Sequence, residues 1–168
     1  ASHPFDDAIA FGGWPIDLHP PEGVDAPDKQ PCDGPEVPHL YDIPLRACVS
    51  RDVDNLMFAG RNISATHCAF ASTRVMATCA VMGQGVGVAA AYAAANGLNP
   101  GALAATPSAM RTIQQQLLRD DCFLIGVTND DNDDKARLAQ ITSCSGNGAQ
   151  VITGQTRSVH GDKGALPD

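Results

Sequence analysis

The chain has few basic residues, few aromatic residues and no cysteine pair at metal-ligand spacing. Only 11 of its 168 residues are Lys or Arg against 19 that are acidic, which gives a formal net charge of −8. Because nucleic-acid binding depends on clustered Lys and Arg, we expect no nucleic-acid partner. The cysteines form no C-x-x-C pair, so the usual zinc and thioredoxin-type signatures are missing and we expect no metal site. They are Cys32, Cys48, Cys68, Cys79, Cys122 and Cys144.

Aromatic side chains make up only 5% of the sequence, whereas Ala and Gly are abundant. With 43% hydrophobic and 18% charged residues, the composition is that of a globular protein. A core of small residues packs by close approach of backbones, which favours a layered α/β fold. The long uncharged stretch Val75 to Ala95 contains Gln84 and is mostly Ala and Gly. We interpret it as a buried helix and expect no membrane span.

Three short segments have the patterns of strands. GGWPIDLHP, Gly12 to Pro20, and YDIPLRACV, Tyr41 to Val49, alternate apolar and polar residues, and Pro44 indicates an edge strand. NLMFA, Asn55 to Ala59, is an apolar run that ends at Gly60, as a buried strand of a parallel sheet does. The remainder of residues 1–40 is predicted to be loop, because prolines interrupt every run.

Two helices are predicted after these strands. The first begins near Thr73 or Arg74, with Ser72 or Thr73 as its N-cap, and ends at Asn96-Gly97. The second begins near Pro107, with Thr106 or Ser108 as its cap, and its apolar stripe contains Ile113, Leu117 and Leu118.

Glycines inside the first helix need a compensating role. Each costs about 1 kcal/mol relative to Ala. Gly83 and Gly87 lie four residues apart on one face, so we predict that this face packs closely against a strand or helix. Gly83, Gly85 and Gly87 do not form a dinucleotide loop, because that fingerprint belongs in the turn between a strand and a helix.

The composition predicts a division of the chain. Residues 1–127 are predicted to form an α/β unit. Residues 128–135 are an acidic linker, and 136–168 have the Gly, Ser and Thr content of a β-sandwich. That last segment has too few strands to close a sheet, so we expect the incomplete start of a second domain.

A helix N-terminus presents backbone N–H groups that attract negative charge. Arg74 to Thr78 places small and neutral residues at such a start, so the amides stay accessible. The reduced flavin ring, which carries negative charge at its N1/O2 edge, is one ligand that would use this site. The turn Gly60 to Ser64 follows the predicted parallel strand, where glycine lets a ligand approach.

The run NLMFAGRNISATHCAFASTRVMATCAVMGQGVGVAAA, with GGWPIDLH and YDIPLR upstream, resembles the C-terminal portion of the FAD-dependent oxidoreductases of the FAD_oxidored type. These are relatives of the glutathione-reductase-like flavoproteins and, more distantly, of the fumarate reductase group. The resemblance covers about residues 5–120 and implies the last strand, the long helix and a further helix of an FAD-binding domain, with FAD as cofactor. It also implies that residues 1–50 supply substrate-side strands and loops and that residues 51–127 supply a cofactor-side strand and helices. The cofactor-binding residues that it implies, with those of the adjoining turn, are Gly60, Arg61, Asn62, Ile63, Ser64, Arg74, Val75, Met76, Ala77 and Thr78.

Three residues are candidates for catalysis. His67 lies in the predicted loop after the cofactor strand, His19 ends GGWPIDLH, and Arg46 is a candidate substrate anchor. Each has a purely structural alternative: His67 hydrogen-bonds its loop, His19 caps a strand, and Arg46 pairs with a surface acid.

The family's N-terminal βαβ unit, with its Gly-rich pyrophosphate loop, is not found in these residues. We therefore expect a fragment that binds FAD poorly or not at all by itself. Its expected partner is the missing N-terminal FAD-binding half. QITSCSGNGAQVITGQTR resembles the start of a discoidin-like domain, which implies export to the periplasm or beyond and a small-molecule or glycan substrate. The alternative function is a non-catalytic carbohydrate-binding or adhesive module on a degenerate flavoprotein scaffold.

Overall fold

The protein was analysed as a computed structural model, which describes residues 5–35 and 37–133 together with the backbone of three later strands. Helices dominate the first part, and a small sheet lies at its N-terminal end. In chain order the elements are β1 Ala8–Gly12, a 3₁₀ turn Gly23–Asp25, β2 Tyr41–Pro44, a 3₁₀ turn Leu45–Cys48, α1 His67–Thr73, α2 Met76–Asn96, α3 Pro100–Ala104, α4 Pro107–Arg119, β3 Ile141–Cys144, β4 Ala149–Ile152 and β5 Gln155–Ser158.

Strand β1 is the centre of the first part. It pairs antiparallel with β2, with a bulge between Ala8 and Ala10, and α2 and α4 pack against it. All five residues of β1 are buried as a result. The main core cluster joins Ile9 to residues of the 3₁₀ turn after β2 and of α2, α3 and α4. The mixture of helices and short strands is consistent with the predicted α/β class.

The strand predictions were only partly correct. β1 lies mostly in the region predicted to be loop. In the segment predicted as a strand, Gly12 to Pro20, only Gly12 belongs to β1, and the rest forms only an isolated bridge between Leu18 and Asp33. The prediction for Tyr41 to Val49 is confirmed as far as Pro44, after which the chain turns into a 3₁₀ helix.

Asn55 to Ala59 is not a buried strand, and that prediction was wrong. Met57 makes only an isolated bridge with Val49, and Leu56 is 38% exposed. The apolar run instead covers part of the core, because Met57 is partly buried and packs against the main core cluster. A short apolar run cannot by itself distinguish a buried strand from such a covering segment.

The predicted start of the long helix was also wrong. Thr66 caps a separate helix, α1, by accepting a hydrogen bond from the Ala69 N–H at 3.2 Å. Extended backbone at Val75 then interrupts the helical path, and α2 begins at Met76. The predicted end is confirmed, because Gly97 adopts the left-handed conformation of a helix C-cap.

The second predicted helix is confirmed as α4, which begins at Pro107 with Thr106 at the N-cap. Ile113, Leu117 and Leu118 are all buried. The preceding residues, predicted to be a turn, form the short helix α3.

The close approach predicted for Gly83 and Gly87 occurs at Gly85 instead. A Cβ added at Gly85 would overlap the carbonyl oxygen of Ile9 and lie 3.0 Å from the Ile9 Cβ. At Gly83 and Gly87 an added Cβ would meet nothing within 4 Å. The α2 surface against β1 is therefore the opposite one from the surface predicted.

Only one face of α2 is buried, through Thr78, Met82, Gly85, Ala89 and Ala93. By length and composition α2 could cross a membrane, with 28% of its apolar window buried. The expectation of a buried helix thus holds for a single stripe, and the absence of a membrane span stays a prediction.

The acidic run after α4 has no helix or strand over its described residues, and it is tied to that helix. Arg111 pairs with Asp130, and Arg119 Nε donates to Asp131 Oδ2 at 2.9 Å. Gln115 donates to the Thr128 carbonyl at 2.8 Å and accepts from the Asp130 N–H at 2.8 Å. Further on, β3, β4 and β5 form an antiparallel sheet in that order. The predicted domain boundaries and the discoidin-like assignment stay predictions, and the rest of 134–168 lies outside the described residues.

The contact at Gly85 predicts opposite effects for two similar substitutions. Gly85→Ala should lower the free energy of unfolding by about 2 kcal/mol or more, because the backbone of β1 blocks the added methyl group. Gly83→Ala should raise it by roughly 0.5–1 kcal/mol, since the site is open and Ala favours helix. Urea denaturation of the two variants measures both effects. Equal effects would contradict the β1–α2 packing.

The side chain of Asp42, in β2, predicts that the stability of the fold depends on pH. Asp42 Oδ2 accepts from the Phe5 N–H at 3.3 Å, while Oδ1 is buried without a hydrogen-bond partner in the described residues. Burial raises the pKa of Asp42 to about 6 from 3.8. Because the folded state holds this proton more tightly than the unfolded chain, stability should fall as pH rises from about 4 to about 6 and stay lower at neutral pH.

Asp42→Asn should therefore raise the free energy of unfolding at neutral pH by about 1 kcal/mol, a value discounted for partial solvent screening. It should also flatten the dependence of stability on pH across this window. Thermal unfolding over a pH series, with exposed Asp54→Asn as the matched control, measures this. A lower melting temperature for Asp42→Asn at neutral pH would contradict it.

Candidate functional site

A cleft of about 570 Å³ brings together two of the three predicted catalytic residues, His19 and His67. Its size is that of a small-molecule site. Lys29 at its rim pairs with Glu22 at 2.5 Å. The lining residues are Leu18, His19, Pro20, Pro21, Lys29, Gln30, Cys32, Asp33 and His67.

The His19 ring is held from both sides. Its Nδ1 lies 2.7 Å from the carbonyl oxygen of Pro31, and its Nε2 lies 3.3 Å from Asp17 Oδ1. A carbonyl oxygen and a carboxylate oxygen are both acceptors. The two ring nitrogens of His19 are therefore positioned by one acceptor each.

The Asp17 carboxylate contacts three other residues of this site, His19, Cys32 and Arg74. One of its oxygens accepts from the Cys32 thiol at 2.6 Å and the other from Arg74 Nη2 at 2.5 Å. Arg74 Nη2 also donates to the Asp17 carbonyl at 3.1 Å. The hydrogen bond from Cys32, together with the charges of His19 and Arg74, holds the pKa of Asp17 below its usual value. Asp17 in turn raises the pKa of Cys32, which favours the neutral thiol.

His67 is in a different situation from His19. It is the first residue of α1, it is exposed, and across residues 5–35 and 37–133 no hydrogen bond or ion pair engages its ring. The predicted loop position was wrong, because the Thr66 cap makes His67 helical. Both imidazole nitrogens are therefore available to a molecule in the cleft.

The two predicted cofactor segments lie side by side. Arg61 Nε donates to the Arg74 carbonyl at 3.0 Å, and a Cβ added at Gly60 would lie 3.8 Å from Cys79 in α2. Gly60 has φ +87°, which a residue with a side chain rarely adopts. In the same loop Asn62 and Ser64 are exposed, and Ile63 packs against the core.

The N-terminus of α2 is open. Val75 occupies the N-cap position and supplies no side-chain hydrogen bond. The first-turn N–H groups of any α-helix lack partners within the helix. Met76 is 79% exposed and Ala77 is also exposed. Thr78 is buried, and its Oγ1 has no hydrogen-bond partner among the described residues.

Arg46 is not part of the cleft lining. Its guanidinium pairs with Asp7, its backbone N–H donates to Asp7 Oδ2 at 3.0 Å, and it lies 4.6 Å from the centre of the Phe5 ring. Asp7 is 1% exposed. The contacts of Arg46 are thus those of a residue that neutralises a buried carboxylate. Its predicted role as substrate anchor stays a prediction.

Comparison with protein families identifies the chain. The model of the FAD dependent oxidoreductases matches residues 1–117, more than half of the sequence. The chain belongs to the FAD-dependent oxidoreductase family. Its cofactor is FAD. No curated protein matched, and no solved structure did either.

The residues at the start of α2 fit the cofactor of the family. An uncapped helix N-terminus attracts a negatively charged group. The orphan hydroxyl of Thr78 and the open amides before it still need partners. Within the described part of the chain, no group of three or more His, Cys, Asp or Glu side chains is placed to hold a metal ion.

Asp17 and Cys32 were missed by the sequence-based site prediction. Asp17 stands two residues before His19 in GGWPIDLHP, so the motif that singled out the histidine also contained its partner. Cys32 had no such signal, because its contact with Asp17 depends on the path of the loop between them.

The Arg46 contacts predict a stability defect. Arg46→Ala should lower the free energy of unfolding by about 2 kcal/mol, because it leaves the buried Asp7 carboxylate without its partner; half-exposure of the guanidinium keeps the figure below that of a fully buried pair. Chemical denaturation measures it, with Arg51→Ala, on an exposed pair with Asp52, as the control. Unchanged stability with loss of substrate binding would instead support the anchor role.

Proposed function

We propose that this chain forms the substrate-side and flavin-side walls of an FAD-dependent oxidoreductase active site, where a hydride passes between a carbohydrate-related substrate and flavin. The observation that carries the proposal is the Asp17 bridge. This carboxylate contacts both His19 in the cleft and Arg74 immediately before α2. The substrate cleft and the cofactor-side helix start are therefore adjoining parts of one site.

Two segments of the chain would hold the cofactor. The uncapped amides at Met76 to Thr78 and the Thr78 hydroxyl would donate hydrogen bonds to it, and Arg61 and Arg74 would add positive charge. FAD, when bound, supplies a hydride acceptor or donor at N5. Gly60, with φ +87°, leaves the turn beside the start of α2 without a side chain at that residue.

The two histidines have separate tasks in this proposal. His67, whose ring has no hydrogen-bond partner within residues 5–35 and 37–133, accepts the proton of a substrate hydroxyl group when the substrate is oxidised, or returns it in the reverse direction. His19 keeps its orientation through Pro31 and Asp17, so it forms a fixed polar part of the cleft wall beside the substrate. In this proposal His67 carries the proton, and His19 provides a fixed surface beside it.

A hydroxylated substrate suits the chemistry of the cleft. Gln30, Asp33 and His67 supply donors and acceptors, while Leu18 and the adjacent prolines supply apolar surface. Pockets of this kind fix orientation with a few polar groups on an apolar lining. The same combination supports a sugar as the substrate class.

The test begins with the visible spectrum of the full-length gene product. We expect the two absorption bands of flavin, and anaerobic loss of the longer-wavelength band with members of a panel of sugars. His67→Gln should slow this reduction about 10²-fold or more, the usual contribution of an acid–base group, and keep the flavin bound. His39→Gln, an exposed histidine outside the cleft lining, is the matched control.

Arg74→Gln should instead weaken FAD retention, with Arg51→Gln as its control. A colourless full-length product would contradict the enzyme and support the alternative of a carbohydrate-binding module. Equal rates for His67→Gln and His39→Gln would remove His67 from the proton transfer while leaving the flavoprotein assignment.

A further inference from the structure

A second hollow lies on the other side of the first turn of α1 from the histidine cleft. It has a volume of about 320 Å³, and we call it the Tyr41 pocket. Its apolar lining comes from Ile16, Val37, Ala69 and the ring of Tyr41. A volume of this size holds roughly ten non-hydrogen atoms, given about 30 Å³ for a water molecule in the liquid.

The polar groups in this pocket are already engaged. Ser72 donates its hydroxyl hydrogen to the Trp14 carbonyl at 2.5 Å, so Tyr41 must be the donor in its own 2.5 Å hydrogen bond with Ser72. Thr66 Oγ1 accepts from the Ala69 N–H in capping α1. Burial raises the pKa of Tyr41, which keeps its hydroxyl neutral.

Little polar capacity is left over for a ligand. The donors that remain are the Thr66 hydroxyl hydrogen and the weakly polar Cys68 thiol, and none of the described lining residues carries a charged side chain. The histidine cleft, by contrast, is lined by imidazole, carboxylate, amide and ammonium groups. The two hollows therefore have opposite chemical preferences.

The hollows share their walls. Thr66, Cys68 and Ala69 line the Tyr41 pocket, whereas His67, between them in the same helical turn, lines the cleft. Ile16 faces the pocket, and Leu18 and His19 on the same extended segment face the cleft. The two hollows are therefore neighbours, with this helical turn and residues 16–19 between them.

We infer that the Tyr41 pocket is a second subsite, which binds an uncharged, apolar ring or alkyl group of the molecule whose hydroxylated part lies in the histidine cleft. The link to the substrate rests on the proposed function, but the ligand preference of the pocket is a property of its own lining. The substrate class is thus a hydroxylated compound with an apolar substituent, such as an aryl or alkyl glycoside.

Benzyl alcohol is the probe, and glycerol is the polar control. In NMR titrations of the full chain with labelled methyl groups, benzyl alcohol should shift the resonances of Ile16, Val37 and Ala69 in a saturable way, and glycerol should not. Ala69→Leu, which fills the pocket from an exposed helical position, should weaken binding at least tenfold. Ala80→Leu, on the exposed face of α2, is the matched control.

Val37→Thr provides a second variant of nearly the same shape, in which a hydroxyl group replaces a methyl group. It should weaken benzyl alcohol binding several-fold without altering the fold. Equal binding to Ala69→Leu and wild type, or equal shifts with glycerol, would overturn the inference. Because this titration needs no flavin, a colourless protein would contradict the proposed function alone, whereas unaltered binding to Ala69→Leu would contradict the subsite alone.

Discussion

The close contact between α2 and β1 is the constraint on which the first part of the structure depends. At Gly85 the helix backbone reaches the backbone of Ile9, and no side chain fits between them. This contact sets the depth at which α2 lies, and β1 is therefore covered completely. The position of the α2 N-terminus, with its open amides, follows from the same contact. A scaffold poor in aromatic residues thus gains rigidity from backbone proximity.

Hydrogen bonds to two aspartates organise the surroundings of this core in different ways. Asp7 is buried and joins the first strand to the 3₁₀ turn after β2 through Arg46. Asp17 is partly exposed and joins a loop to the junction of α1 and α2 through Arg74. Removing Arg46 would leave the buried Asp7 carboxylate without its partner, which is costly, whereas exposed ion pairs contribute little to stability. A partly exposed carboxylate with three donors is better explained by the site that it orders.

Sequence patterns predicted the parts of this fold that depend on local chemistry. Gly97 and Pro107 mark helix boundaries through their own backbone preferences, and the stripe at Ile113, Leu117 and Leu118 follows helical periodicity. The errors came where distant segments decide. β1 is a strand because α2, α4 and β2 surround it, and Gly85 rather than Gly83 is packed because of where Ile9 lies. For the site, the motif containing His19 was informative, but its meeting with His67, Arg74 and Cys32 required the folded chain.

The helix α1 also fixes the distance between two residues of the proposed active site. It has seven residues, with His67 at its first position and Arg74 as its C-cap. At 1.5 Å per residue, this spacing holds the two ends roughly 10 Å apart. The opposite wall of the cleft is a proline-rich loop with little regular structure. In the proposed site, replacements in residues 18–33 would therefore alter the loop wall, while α1 would keep the spacing between His67 and Arg74 unchanged.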